Sequence, residues 1–205
     1  MESKVLVGYS SKYGATVEIA GKISEALRQS GLQVDVVPVK NVKDVTPYNA
    51  FVIGRALYMF QWRADATAFL KKNWKILADK PTWIFSSGPM GKGDPVEMVK
   101  GQRFQKTLEP VLAQIKPRGV TVFWGAINMN KLNFLERSIM KRMPEQQGDF
   151  RDWNVINTWA KQIAAELTKQ GKQFPVNFQP QQRVQAPEKS LFPVITRPQS
   201  GIICR

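Results

Sequence analysis

Seven consecutive residues, Ser10, Ser11, Lys12, Tyr13, Gly14, Ala15 and Thr16, lie between a short apolar run and a helical pattern. Backbone N–H groups at such a turn, together with the positive end of the helix, can hold a phosphate. The hydroxyls of Ser11 and Thr16 would add donors, and Gly14 would let the backbone approach closely. The same residues also suit an ordinary capped helix start, where Ser and Thr are favoured. Two other phosphate-binding patterns are missing: GxxxxGK[ST] occurs nowhere, and GxGxxG does not follow the first apolar run. Nucleoside triphosphates and dinucleotides are thereby disfavoured, and a monophosphate held without a metal fits better.

The elements that must position this turn are legible from periodicity. KVLVGY (4–9) reads as a strand, and Ile19, Ala20, Ile23 and Leu27 mark one face of the helix after the turn. Gly31 is placed as its C-terminal cap, and LQVDVV (32–37) alternates as a second strand. AFVIG (50–54), PTWIFSS (81–87) and GVTVFWGA (119–126) supply three more strands, with helices predicted over 64–78 and 102–115. Trp153, Ile156, Trp159, Ala160, Ile163 and Leu167 define a closing helix, with Asp152 placed to cap it. Strands alternating with helices predict an α/β fold, a doubly wound five-stranded parallel sheet in the order 2-1-3-4-5. Residues 1–170 form this domain; residues 171–205, with five prolines, six glutamines and five basic residues against one acidic, read as an extended basic tail.

Composition removes several classes of chemistry. The chain has no histidine, which takes away serine–histidine triads, the commonest general base and the usual zinc sites. Its one cysteine, Cys204, allows neither a disulfide framework nor a CxxC pair, so a redox role would need a borrowed cofactor. No apolar run approaches the length of a spanning helix, and the opening MESKVLVGYSS lacks the apolar stretch of a secretory signal; a cytoplasmic protein is expected. Thirty Lys and Arg against sixteen Asp and Glu give a net charge of +14, which attracts nucleic acid, anionic lipid or acidic small molecules.

VLVGYSSKYGATVEIAGKISEAL resembles the opening of the flavodoxin family, with Ser11, Tyr13, Gly14 and Thr16 on that family's T-x-T-G-x-T positions and Tyr13 departing from the commoner hydroxyl residue. The resemblance implies a flavodoxin-like fold with FMN, its phosphate in the first loop and its ring between the loops after strands three and four. The first of these loops, GRALYMFQW (54–62), carries Arg55 and Ala56 and offers Tyr58, Phe60 and Trp62 as stacking faces, although such aromatics also serve as core. The second, SSGPMGKGDP (86–95), carries Ser87, Gly88 and Gly91, whose backbone can approach the polar edge of the ring. Their shared placement at carboxyl ends of strands is where open α/β sheets bind ligands.

A narrower resemblance, carried by AFVIGRALYMFQW, FWGAINMNKLNFLERSIMKRM and GDFRDWNVINTWAKQIAAEL, is to flavodoxin-type, menaquinone-dependent protoporphyrinogen dehydrogenases. It implies an FMN-dependent oxidoreductase that takes hydrogen from a tetrapyrrole and passes electrons to a membrane quinone. Arg55, Arg63 and Lys92 are then candidates to meet the propionates or the charge on the ring; a solvated surface cation is the alternative for each. The stretch KLNFLERSIMKRM (131–143) reads as a basic amphipathic helix that either lies on an anionic membrane at the inner face, with Leu135, Ile139 and Met140 partly inserted, or packs on the core. The competing function is a flavodoxin-type electron carrier that docks on other redox proteins. An NAD(P)H-dependent quinone reductase is a further alternative within the enzyme class. No nucleic-acid partner is expected, since no recognised binding motif accompanies the charge.

Overall fold

The structure is a computed structural model describing residues 4–58, 61–62, 64–88, 91, 93–99, 103–142 and 147–168. The expectation of a tail from residue 171 lies outside the described residues. Five parallel strands, β1 (Lys4–Ser10), β2 (Gln33–Pro38), β3 (Ala50–Tyr58), β5 (Thr82–Ser87) and β6 (Gly119–Phe123), stand in the order β2-β1-β3-β5-β6. Counting those five alone, the order is the expected 2-1-3-4-5. A short β4 (Gln61–Trp62) turns back antiparallel on the end of β3, and β7 (Ala126–Ile127) pairs antiparallel with β8 (Gly148–Asp149).

The helices are α1 (Ala15–Gln29), α2 (Ala64–Asp79), α3 (Pro95–Met98), α4 (Arg103–Ile115), α5 (Phe134–Met140) and α6 (Trp153–Leu167). A strand buried on both faces must be apolar at odd and even positions alike, and β1 and β3 are. Val5, Val7, Val52, Trp83 and Phe85 meet Ile19, Ile23, Leu27, Ile156, Trp159 and Ile163 of α1 and α6. On the opposite face Leu6, Phe51, Ile53 and Ile84 meet Phe69, Leu70 and Leu77 of α2 and Val111 and Ile115 of α4. The Trp159 ring stands edge-on to Phe85 and Phe123, with centroids 6.1 and 5.5 Å away. Gly54 makes room for this cluster: a Cβ there would lie 2.0 Å from Phe85 Cζ.

The caps follow the sequence. Gly31 adopts φ 81° after α1 and its N–H donates to the Arg28 carbonyl, while the Asp152 carboxylate accepts from the N–H groups of Asn154 and Val155. Three boundaries differ from expectation. β3 runs on to Tyr58 because Leu57 and Tyr58 pair with Trp62 and Gln61, so much of GRALYMFQW is strand. The last parallel strand stops at Phe123, and Ala126–Ile127 leaves the main sheet to pair with β8. The 131–143 stretch is not one helix. A 3-10 turn (Met129–Lys131) ends before Leu132, and α5 restarts from a capping box in which the Asn133 side chain and Glu136 each bond the other's backbone N–H.

Candidate functional site

The carboxyl end of β1 delivers the turn, and its side chains divide into three directions. Ser10 is buried and its hydroxyl donates to Asp65 Oδ1 at 2.6 Å, at the start of α2. Ser11 Oγ accepts the Gly14 N–H at 3.1 Å, which leaves its own O–H free to donate. Thr16 is fully buried, and its Oγ1 lies 2.6 Å from Ser87 Oγ. Lys12 pairs with Glu136 and places its ammonium 4.9 Å from the Tyr13 ring centroid. Tyr13 packs against the cluster of Ile127, Leu132 and Met140.

Gly14 stands at the N-cap of α1 with φ 100°, a conformation that suits glycine, and supplies no side-chain cap. A helix start has N–H groups without intrahelical acceptors, and here those of Ala15, Thr16 and Val17 point out of the positive end. The first turn of α1 thus offers backbone donors beside the Ser11 hydroxyl, with no side chain at Gly14 to block it. A phosphate monoester fits that donor set.

The two other predicted segments lie at the neighbouring strand ends. Register pairs Ser10 with Arg55, Arg55 with Ser86, and Ala56 with Ser87. Arg55 is neither a surface cation nor a loop residue: it is 3% exposed, on the α2/α4 face of β3, with Nε donating to Ser86 Oγ at 3.0 Å. Burial disfavours its charged form and pushes its pKa down. Ala56 is half-buried beside it. Gly88 adopts φ 102°, and a Cβ there would lie 2.7 Å from the Leu57 carbonyl oxygen. Gly91, half-buried, faces Met98 and Trp124. The side chains of Tyr58 and Trp62, and residues Phe60, Arg63 and Lys92, lie outside the described residues.

Residues between Ile127 and Met140 pack over the first turn, which the sequence reading missed. Ile127, Leu132 and Met140 form a small core of their own against Tyr13. Hydrogen bonds from Lys12 and then Tyr13 pull the Glu136 carboxyl down to about 2. Arg151, after β8, grips Asp149 through Nε and Nη2 and reaches Glu18 of α1 through Nη1 at 2.8 Å. These two carboxylates raise the pKa of Arg151, that of Asp149 most. The spacing Asn133-x-x-Glu136 is the signal that could have found the break, because a capping box inside a helical pattern marks a new start. Leu132 and Met140 face this small core, whereas Phe134, Leu135 and Ile139 are exposed. The core-packing reading thus holds for Leu132 and Met140, and Met140 is not available for insertion.

Comparison with known proteins agrees with this architecture. The family model for the flavodoxin domain matches residues 6–154. Protoporphyrinogen IX dehydrogenase (quinone) of Escherichia coli strain K12 is 22% identical over 172 residues, spanning 78% of this chain and 94% of that protein. Among solved structures, a flavodoxin from the domain Archaea superposes with TM-score 0.51 at 12% identity, over 80% of this chain and 99% of its own. The rubredoxin oxygen:oxidoreductase of Desulfovibrio gigas superposes with TM-score 0.53 at 16% identity, over 83% of this chain and 38% of its own. These two likenesses speak for the fold. With residues 6–154 matched out of 205, the chain belongs to the flavodoxin domain family.

Proposed function

We propose that this chain is an FMN-dependent oxidoreductase of the protoporphyrinogen dehydrogenase type, which takes hydrogen from a tetrapyrrole and passes the electrons to a membrane quinone. The observation that carries the reading is the likeness to the Escherichia coli protoporphyrinogen IX dehydrogenase along 94% of that protein. The donor set at the β1–α1 turn supports it. Bound flavin supplies the redox chemistry, so a chain with no histidine and one cysteine can belong to this class.

The protein's own part is to hold and orient. The N–H groups of Ala15, Thr16 and Val17 and the Ser11 hydroxyl hold the phosphate. Gly88 and Gly91 would let their own main-chain groups approach the polar edge of the ring. The Thr16–Ser87 contact fixes the spacing between those two parts of the site. Arg55 ties the carboxyl ends of β3 and β5 together through its Nε bond to Ser86 Oγ.

A quinone acceptor requires an approach to lipid, and among the described residues no helix is long and apolar enough to cross a membrane. Phe134, Leu135 and Ile139 of α5 are 89%, 68% and 36% exposed, with Lys141 and Arg142 exposed beside them. That composition suits peripheral attachment to an anionic surface, each cation contributing about 1 kcal/mol near the surface. The test is anaerobic turnover of protoporphyrinogen with a menaquinone analogue, read by porphyrin fluorescence. Porphyrin formation that scales with FMN content and requires the quinone supports the proposal; none above the protein-free rate overturns it.

A further inference from the structure

Lys131 ends the 3-10 turn of the closing segment, far along the chain from the phosphate turn, yet the two meet in space. A Cβ built on Gly14 would lie 2.9 Å from Lys131 Nζ, so the ammonium rests directly against the N-cap of α1. This is an unfavourable place for a cation by itself, because the helix end already carries positive charge. Among the described residues the Lys131 ammonium donates no hydrogen bond and has no carboxylate within ion-pair distance. Of the nearby acids, Glu136 pairs with Lys12, and Glu18 pairs with Arg151 through Oε2 while its Oε1 lies 4.0 Å from the same Cβ position on Gly14.

We infer that Lys131 is a phosphate ligand contributed by the closing segment, and that it makes the site select phosphorylated over unphosphorylated flavin. The inference rests on the FMN reading above and deepens it. An ammonium against Gly14 stands beside the outward N–H groups of Ala15, Thr16 and Val17, so a phosphate dianion there would be met by backbone dipoles and by a full charge. The anion would in turn remove the repulsion between Lys131 and the helix end. Lys12, within the turn, does not take this role, because its ammonium is held by Glu136.

The test is titration of the apoprotein with FMN and with riboflavin, at low and high salt, for the wild type, Lys131→Met and Lys131→Arg. Lys131 is exposed, and circular dichroism checks that each variant keeps the fold. The expected result is an FMN dissociation constant raised about tenfold in Lys131→Met, the size of effect that removing one charge-assisted hydrogen bond produces. Riboflavin affinity is expected to stay unchanged, the salt dependence of FMN binding to flatten, and Lys131→Arg to restore most of the FMN affinity. Wild type that binds FMN, with Lys131→Met binding it equally well or weakening FMN and riboflavin alike, overturns the inference and leaves the FMN reading standing. Wild type that takes up no FMN overturns both.

Discussion

The hydroxyls of Thr16 and Ser87 meet at 2.6 Å inside the domain, tying the first turn of α1 to the carboxyl end of β5 across the strand between them. Both residues are buried, so each hydroxyl relies on the other. Thr16→Val is therefore expected to cost about 1–3 kcal/mol by stranding Ser87. Thr16→Val with Ser87→Ala should recover part of that stability, because neither polar group then remains. Denaturant unfolding of both single variants and the double variant measures the coupling; strictly additive effects would show that the pair carries no interaction energy.

Ser11 acts differently. Its oxygen accepts from Gly14 while its proton is free, so Ser11→Ala should lower FMN affinity more than riboflavin affinity, by roughly tenfold. Equal weakening of the two ligands would place the hydroxyl away from the phosphate. Titrating this variant separately from Thr16→Val distinguishes a ligand contact from a structural one.

Gly54→Ala is expected to destabilise the fold by about 1–3 kcal/mol, since the added methyl would fall on the buried Phe85 ring and force it against Trp159 and Phe123. A fall in the unfolding midpoint checks it. An unchanged midpoint would mean that the ring has room to move.

The closing segment should loosen in acid. Glu136 has its pKa lowered to about 2 by Lys12 and Tyr13, so its contribution is fully present above the ordinary carboxylate range and is lost as pH falls toward 2. The stability difference between wild type and Glu136→Gln should thus be constant from pH 7 to about 5 and close below about 4. Thermal melts across that range measure it, and a gap that does not narrow in acid would detach Glu136 from its pairing with Lys12 and Tyr13 as the cause.

The sheet order and both helical layers were legible because the central strands are apolar on two faces and the long helices α1 and α6 each carry one stripe. Boundaries failed where pairing or capping overrode the pattern. Leu57 and Tyr58 stay in strand because Gln61 and Trp62 turn back to pair with them, which a run of mixed residues does not announce. Arg55 reads as a loop cation for the same reason, and its burial follows from β3 continuing past Gly54. The division of 131–143 was present in Asn133 and Glu136, but the apolar spacing of Leu132, Leu135 and Ile139 hid it. Lys131 could not have been found from sequence, because its nearness to Gly14 depends on how the β7–β8 segment folds back.

The proposed approach to lipid rests on the exposed side chains of Phe134 and Leu135. Phe134→Glu with Leu135→Glu should abolish cosedimentation with anionic vesicles, while wild type binds them at low salt and releases at high salt. Circular dichroism confirms that the double variant is folded. Wild type that stays in the supernatant with anionic vesicles at low salt would remove the membrane approach.

The central claim is that a tetrapyrrole is the reductant, and the most direct measurement compares reductants on one holoprotein. The flavin absorbance is followed anaerobically after mixing with protoporphyrinogen, with NAD(P)H and with reduced ferredoxin. Bleaching that is fastest with protoporphyrinogen, and reversed by a menaquinone analogue, is the predicted result. Fastest bleaching by reduced ferredoxin, with none by protoporphyrinogen, would contradict the claim and make this chain an electron carrier.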